Sequence, residues 1–187
     1  MPLTLTARSE IGVSEVIKLL WLGSDGRLCP YRPVGRVEPI DFLVKHADDA
    51  ATLGVQVLSC FALGRHGQVK ASTSASTFKA VPFTILIVLD FRVHELRHGP
   101  FCWLMRADEF ASLATRSRGL LLFEASPRPD AVPNRYKPWR YEPMELAAAV
   151  ETLLEHLRIR GPRQALPTRR PALTAARRKL GLGDALR

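Results

Sequence analysis

Cysteine is scarce in this chain and follows no pattern. Cys29, Cys60 and Cys102 are the three in 187 residues. They are odd in number and form no C-x-x-C pair, which argues against a disulfide framework and a zinc site. Long apolar runs are missing too: a stretch such as Phe83 to Leu89 is far too short to cross a bilayer. The opening ten residues hold no apolar segment of the kind that begins a secretory leader. Together these absences predict a cytoplasmic chain with no membrane contact. Glycines follow neither a Walker nor a Rossmann pattern, and no G-x-S-x-G elbow surrounds the Ser72 to Thr77 patch. Of the five histidines, His94 and His98 alone are spaced like ligands, and they fall in a turn with no helix to align them.

Negative charge is nearly absent from the C-terminal end. From Arg158 onward the sequence has nine basic residues and one acid, Asp184, for a net charge of +8. Residues 1–157 have 18 basic and 17 acidic residues, a net of +1. These two values account for the +9 of the whole chain. Hydrophobic residues make up 47% and charged residues 24%, as in an ordinary globular protein. The division is therefore a body of one domain, residues 1–157, and a basic Pro/Arg-rich tail, residues 158–187. Such a tail attracts polyanions through counterion release. The plain alternative is a solvated terminus.

Apolar periodicity predicts a helix over residues 9–22, started by Ser9 and stopped by Gly23. Alternation predicts a strand over residues 39–46 and a second over 54–63. Residues 64–80 read as a loop with one short strand near Gln68 to Ala71. Phe83 to Phe91 is apolar and β-branched throughout, as expected of a central strand buried on both faces. Further strands at 101–105 and 120–123 bracket a short helix starting at Asp108. A last amphipathic helix covers 142–157. The predicted class is α/β (α+β): a mixed central β-sheet flanked by helices.

Three polar residues fall where this core should form. Asp41 sits on one strand and Gln56 on the next, so pairing can set them side by side on one sheet face. Glu15 lies on or beside the inward face of the first helix. Clustered oxygen ligands suit Mg²⁺, which prefers carboxylates and carbonyls and keeps several waters. The chemistry served by such a site is phosphodiester hydrolysis. Each residue also has a plain structural reading. Asp41 would cap a strand end, Gln56 would be a hydrogen-bonded core amide, and Glu15 would pair with Lys18 on the helix edge.

The segments Pro39-Ile40-Asp41-Phe42-Leu43-Val44 and Gly54-Val55-Gln56-Val57-Leu58-Ser59, after a helix bearing a glutamate, resemble the PD-(D/E)xK restriction-endonuclease-like superfamily. They look closest to small bacterial families whose last motif reads VQVK(S/T). The resemblance spans roughly residues 9–125. It implies a restriction-endonuclease-like fold, Asp41 as the metal-binding aspartate, Gln56 as a neutral oxygen ligand and Glu15 as the supporting helix glutamate. It also implies a lysine two positions after Gln56, where this chain has Leu58. Leucine carries no charge and donates no hydrogen bond. Three outcomes stay open: Lys45 supplies the cation, Gln68-x-Lys70 is the true motif, or the cation is lost.

Arg135, Lys137, Trp139 and Arg140 interleave cations with an aromatic, as nucleic-acid surfaces do. In the tail, Arg169, Arg170, Arg177, Arg178 and Lys179 are the candidate phosphate contacts. The expected function is a nuclease-like domain acting on or binding DNA, with degenerate or lost Mg²⁺-dependent hydrolysis. The rival is a non-catalytic module that holds a protein partner, its tail docking on nucleic acid or an acidic surface.

Overall fold

A computed structural model describes residues 4–32, 40–64, 66–81, 83–92, 95–128 and 135–160. The tail residues Arg169, Arg170, Arg177, Arg178 and Lys179 lie outside the described residues.

Helix α1 spans Leu5–Gly23 and starts a turn earlier than the apolar stripe suggests, because Thr4 is its N-cap and accepts the Ala7 N–H at 3.2 Å. Gly12, Val13, Val16, Leu19 and Leu20 form its buried stripe, at the i, i+3/i+4 spacing of one helix face. Strand β1 (Leu28–Tyr31) follows a tight turn through Asp25 and Gly26, both at positive φ. Strands β2 (Phe42–His46) and β3 (Thr52–Cys60) form an antiparallel hairpin.

Strand β4 (Val69–Ser74) lies in the stretch read from sequence as mostly loop. Lys70, Ser72 and Ser74 alternate with Val69, Ala71 and Thr73, which is enough to seat one face of a strand on apolar neighbours. Then follow β5 (Thr84–Arg92), β6 (Arg97–Arg106), α2 (Ala107–Leu113), β7 (Thr115–Ser117) and β8 (Leu120–Ala125). A 3₁₀ turn at Lys137–Trp139 leads into the two-residue β9 (Arg140–Tyr141). A second 3₁₀ turn opens α3 (Leu146–Arg160).

Six strands make one mixed sheet in the order β1-β2-β3-β5-β6-β9, and three make a small antiparallel sheet, β4-β8-β7. In the large sheet β3 and β5 run parallel, whereas the other pairs are antiparallel. The expected mixed central sheet with flanking helices is therefore present. The two faces differ in their cover. On one face, α1 and α3 close a core with Leu53, Val55, Val57, Ile85, Ile87 and Leu89. On the other, the small sheet and α2 cover Leu58, Cys60, Leu86, Val88, Trp103 and Met105. Odd-numbered residues of β3 thus face the helices and even-numbered ones face the small sheet. None of the three cysteines is bonded to another, and burial pushes the Cys102 thiol up to about 12, leaving it unreactive.

The closest approach of helix to sheet is at Gly12. A Cβ there would lie 1.6 Å from Ser59 Oγ and 2.8 Å from Ser59 Cβ. Gly12→Ala should therefore destabilise the fold by about 1–3 kcal/mol, the usual range for overpacking. Combining it with Ser59→Gly should recover part of the loss in urea denaturation. Equal stability of Gly12→Ala and the natural protein would show that the helix does not pack this tightly.

Candidate functional site at the β2–β3 junction

The site begins with a backbone problem. In the hairpin, Phe42 pairs with Val55 and Leu43 with Gly54. Strand β2 starts at Phe42, while β3 runs on to Cys60. The edge of β3 beyond Val55 therefore loses its β2 partner, and a buried N–H without an acceptor is costly.

Asp41 resolves this. Its N–H donates to the Val55 carbonyl at 2.9 Å, and its carboxylate Oδ2 accepts the Val57 N–H at 2.7 Å. One residue so bonds both chain neighbours of Gln56. Asp41 stands in a bend just outside β2, with its carboxylate turned onto the edge of β3 where a strand carbonyl would otherwise sit.

Gln56 is 8% exposed and lies between these two anchor points. Its carbonyl oxygen Oε1 is buried with no hydrogen-bond partner. Most buried side-chain oxygens have one. Asp41 thus spans the two peptide groups that flank Gln56, whose own side chain lies on the sheet face turned to the small sheet.

Asp41 is electrostatically strained. Burial raises its pKa above the ordinary carboxylate value. The Val57 N–H and the positive charge of Arg32 oppose that rise, and the negative charge of Glu10 adds to it. Arg32 and Glu10 are themselves bonded, Nη2 to Oε2 at 2.7 Å. Sequence reading missed both. The one available signal for Arg32 was its place at the end of a short extended piece, just ahead of Pro33.

The other residues singled out from the sequence are engaged elsewhere. Lys18 donates to Glu15 Oε1 at 2.8 Å, and α1 packs on the sheet face opposite Gln56. The helix carboxylate whose charge acts on Asp41 is Glu10. Lys45 pairs with Thr52 in the hairpin, four residues along β3 from Gln56, roughly 13 Å. Lys70 Nζ lies 3.1 Å from Glu124 Oε1, an exposed cross-strand pair on the small sheet. Leu58 points into the core between the two sheets and is 8% exposed.

The cation–aromatic stretch is also internally satisfied. Trp139 Nε1 donates to Glu109 Oε2 at 3.2 Å, and Arg140 stacks over Phe101 with 4.3 Å to the ring centroid. Arg135 donates to Thr115 Oγ1 and lies over Tyr136, while Lys137 is exposed. Among the described residues, no three His, Cys, Asp or Glu side chains come together as a metal-binding group.

Another buried acid was not singled out from the sequence. Asp90, 2% exposed, lies near the end of the apolar strand β5 beside Cys60 of β3, 3.7 Å from Arg92 Nε. It fits because Gly99 leaves the space: a Cβ at Gly99 would sit 2.0 Å from the Asp90 carboxylate. A charge at the end of an otherwise apolar strand was the signal for it.

With this geometry in view, the comparison with solved structures is decisive about architecture. The chain superposes on a bacterial homing endonuclease, I-Ssp6803I, with a TM-score of 0.57 over 84% of this chain and 96% of that one, at 11% sequence identity. The fold is nuclease-like. At that identity the likeness concerns architecture and transfers no residue roles. No family model matches the chain, and no curated protein matches it by sequence. No helix among the described residues is long and apolar enough to cross a membrane.

Two outcomes follow for this site. A carboxylate with a raised folded pKa binds its proton more tightly in the folded state, so its ionisation costs stability as pH rises through that value. Asp41→Asn removes this cost and still offers an oxygen to the Val57 N–H. The variant should be the more stable protein at neutral pH, with the difference shrinking as pH falls through the raised pKa of Asp41. Urea midpoints across pH would measure it, and a pH-independent difference would contradict it. Leu58→Lys places an ammonium in the core between the sheets. It should cost a few kcal/mol of stability, seen as a lower urea midpoint.

Proposed function

We propose that the chain is a nuclease-like domain that binds DNA and carries a degenerate PD-(D/E)xK site. The observation that carries this reading is the anchoring of Asp41 on the two peptide groups that flank Gln56. The half-buried Asp41 carboxylate accepts the Val57 N–H, and the buried Gln56 Oε1 has no hydrogen-bond partner. An acceptor left unsatisfied in the interior is uncommon in ordinary folding.

The donor set fits a hard divalent ion. Asp41 and the Gln56 carbonyl are both oxygen ligands, and Mg²⁺ commonly takes one or two protein groups and completes its shell with water and phosphate. When bound, the ion would offset phosphate charge and lower the pKa of a water. The chain's own share is positional. The Val57 N–H fixes one Asp41 oxygen, and the Val55 carbonyl fixes its backbone.

The missing element is a lysine at position 58, where the side chain is packed in the core. For that reason hydrolysis is read as weak or lost, while the polynucleotide-binding role is retained. The basic tail supports that role through its charge of +8 from residue 158 onward.

The test is incubation of the full chain with supercoiled plasmid and Mg²⁺ or Mn²⁺, beside Asp41→Ala, together with binding of the same DNA in EDTA. The expected result is DNA binding by both proteins, with slow metal-dependent nicking, if any, confined to the natural one. Absence of DNA binding by the natural protein overturns the reading. So does nicking that survives Asp41→Ala.

A further inference from the structure

A phosphate site at Asp41, with Glu10 within electrostatic reach, has a difficulty. Two carboxylates repel a phosphodiester, and the residue expected to offset them, at position 58, is a buried leucine. Some cation must stand nearby for the site to hold a polynucleotide. Lys70 is held by Glu124 on the other sheet, and Lys45 lies about 13 Å down the hairpin.

Arg32 is placed differently. Strand β1 pairs with β2 so that Tyr31 lies opposite Leu43. One more residue in that register sets Arg32 beside Phe42, next to Asp41. Helix α1 crosses β3 at Gly12, and two residues earlier it presents Glu10, which Arg32 grips at 2.7 Å. Three separate elements thus converge: the end of β1, the start of β2 and the first half of α1. The fields of both Arg32 and Glu10 reach Asp41.

The Arg32–Glu10 pair is also easy to open. Its side chains are 49% and 55% exposed, and exposed pairs contribute little to stability. Phosphate and carboxylate are both good bidentate partners for a guanidinium, so exchanging one for the other keeps the geometry of the donors.

We propose that Arg32 is the phosphate-binding cation of this site, stored on Glu10 in the free protein and passed to a backbone phosphate of a bound polynucleotide, which it holds beside Asp41. This rests on the nuclease-like reading of the Asp41–Gln56 site. Glu10 acts as a positioning residue that keeps the guanidinium in place until a phosphate competes for it.

The experiment is fluorescence anisotropy of a labelled DNA duplex with the full chain in EDTA, over a range of salt. It compares the natural protein with Arg32→Ala, Arg32→Lys and Glu10→Gln. The basic tail contributes equally to all four, so differences report on the site. Arg32→Ala should weaken binding about tenfold, the loss of one charge-assisted bond. It should also flatten the salt slope by about one unit. Arg32→Lys should recover the slope and part of the affinity. Glu10→Gln, which frees the guanidinium, should tighten binding by a few-fold. Circular dichroism should show all four folded.

Natural-like affinity and slope in a folded Arg32→Ala overturn the proposal and leave the nuclease-like reading standing. Weaker binding by Glu10→Gln also overturns it, since Glu10 would then be contacting the DNA side directly. Failure of the natural protein to bind removes both.

Discussion

The parallel pair β3–β5 is the constraint from which the rest follows. Both strands are buried on both faces, so neither can be stable without cover on two sides. Helices α1 and α3 supply one cover. The small sheet β4-β8-β7, with α2, supplies the other. The chain reaches the second layer by leaving β3, laying down β4, and returning through β5. A parallel pair demands such a crossover, and here the connection builds the opposite layer on its way.

The same constraint makes the site. Strand β3 must run far enough to pair with β5 through Cys60, but β2 stops pairing at Val55. The mismatch leaves a stretch of β3 edge that the hairpin cannot satisfy. Asp41 is the local answer, and its charge is the cost of that answer. The acid that completes the ladder is half-buried, and that burial raises its pKa. Because α1 presses on β3 at Gly12, Glu10 comes within electrostatic reach of that acid, and with it Arg32.

Much of the fold was legible from the sequence. The run from Phe83 to Phe91 announces a doubly buried strand, and the stripes of α1 and α3 announce their packing faces. The second sheet was legible only in part: the strand at 120–123 falls within β8 and the short one near Gln68 to Ala71 overlaps β4. Strand β4 is written in serines, threonine and alanine, and β7 is three exposed residues held by hairpin pairing alone. Neither has the apolar alternation that marks a strand. Asp41 and Gln56 were visible as polar residues in strand-like surroundings. Glu15 drew notice because its spacing sets it near the helix's inner face, yet its carboxylate is used by Lys18, and Glu10, one and a half turns earlier, is the one near Asp41. Arg32 could not be found by periodicity, since its place depends on pairing between β1 and β2, a long-range fact.

The edges of the large sheet carry a consequence of their own. Strand β1 is the outer strand on one side and contains Pro30, which has no N–H to offer an incoming strand. Strand β9 closes the other side with two residues, too short to template a ladder. A sheet bounded this way resists growth by strand addition. Copies of the chain are therefore kept from zipping together along the edges of the large sheet, even at high concentration.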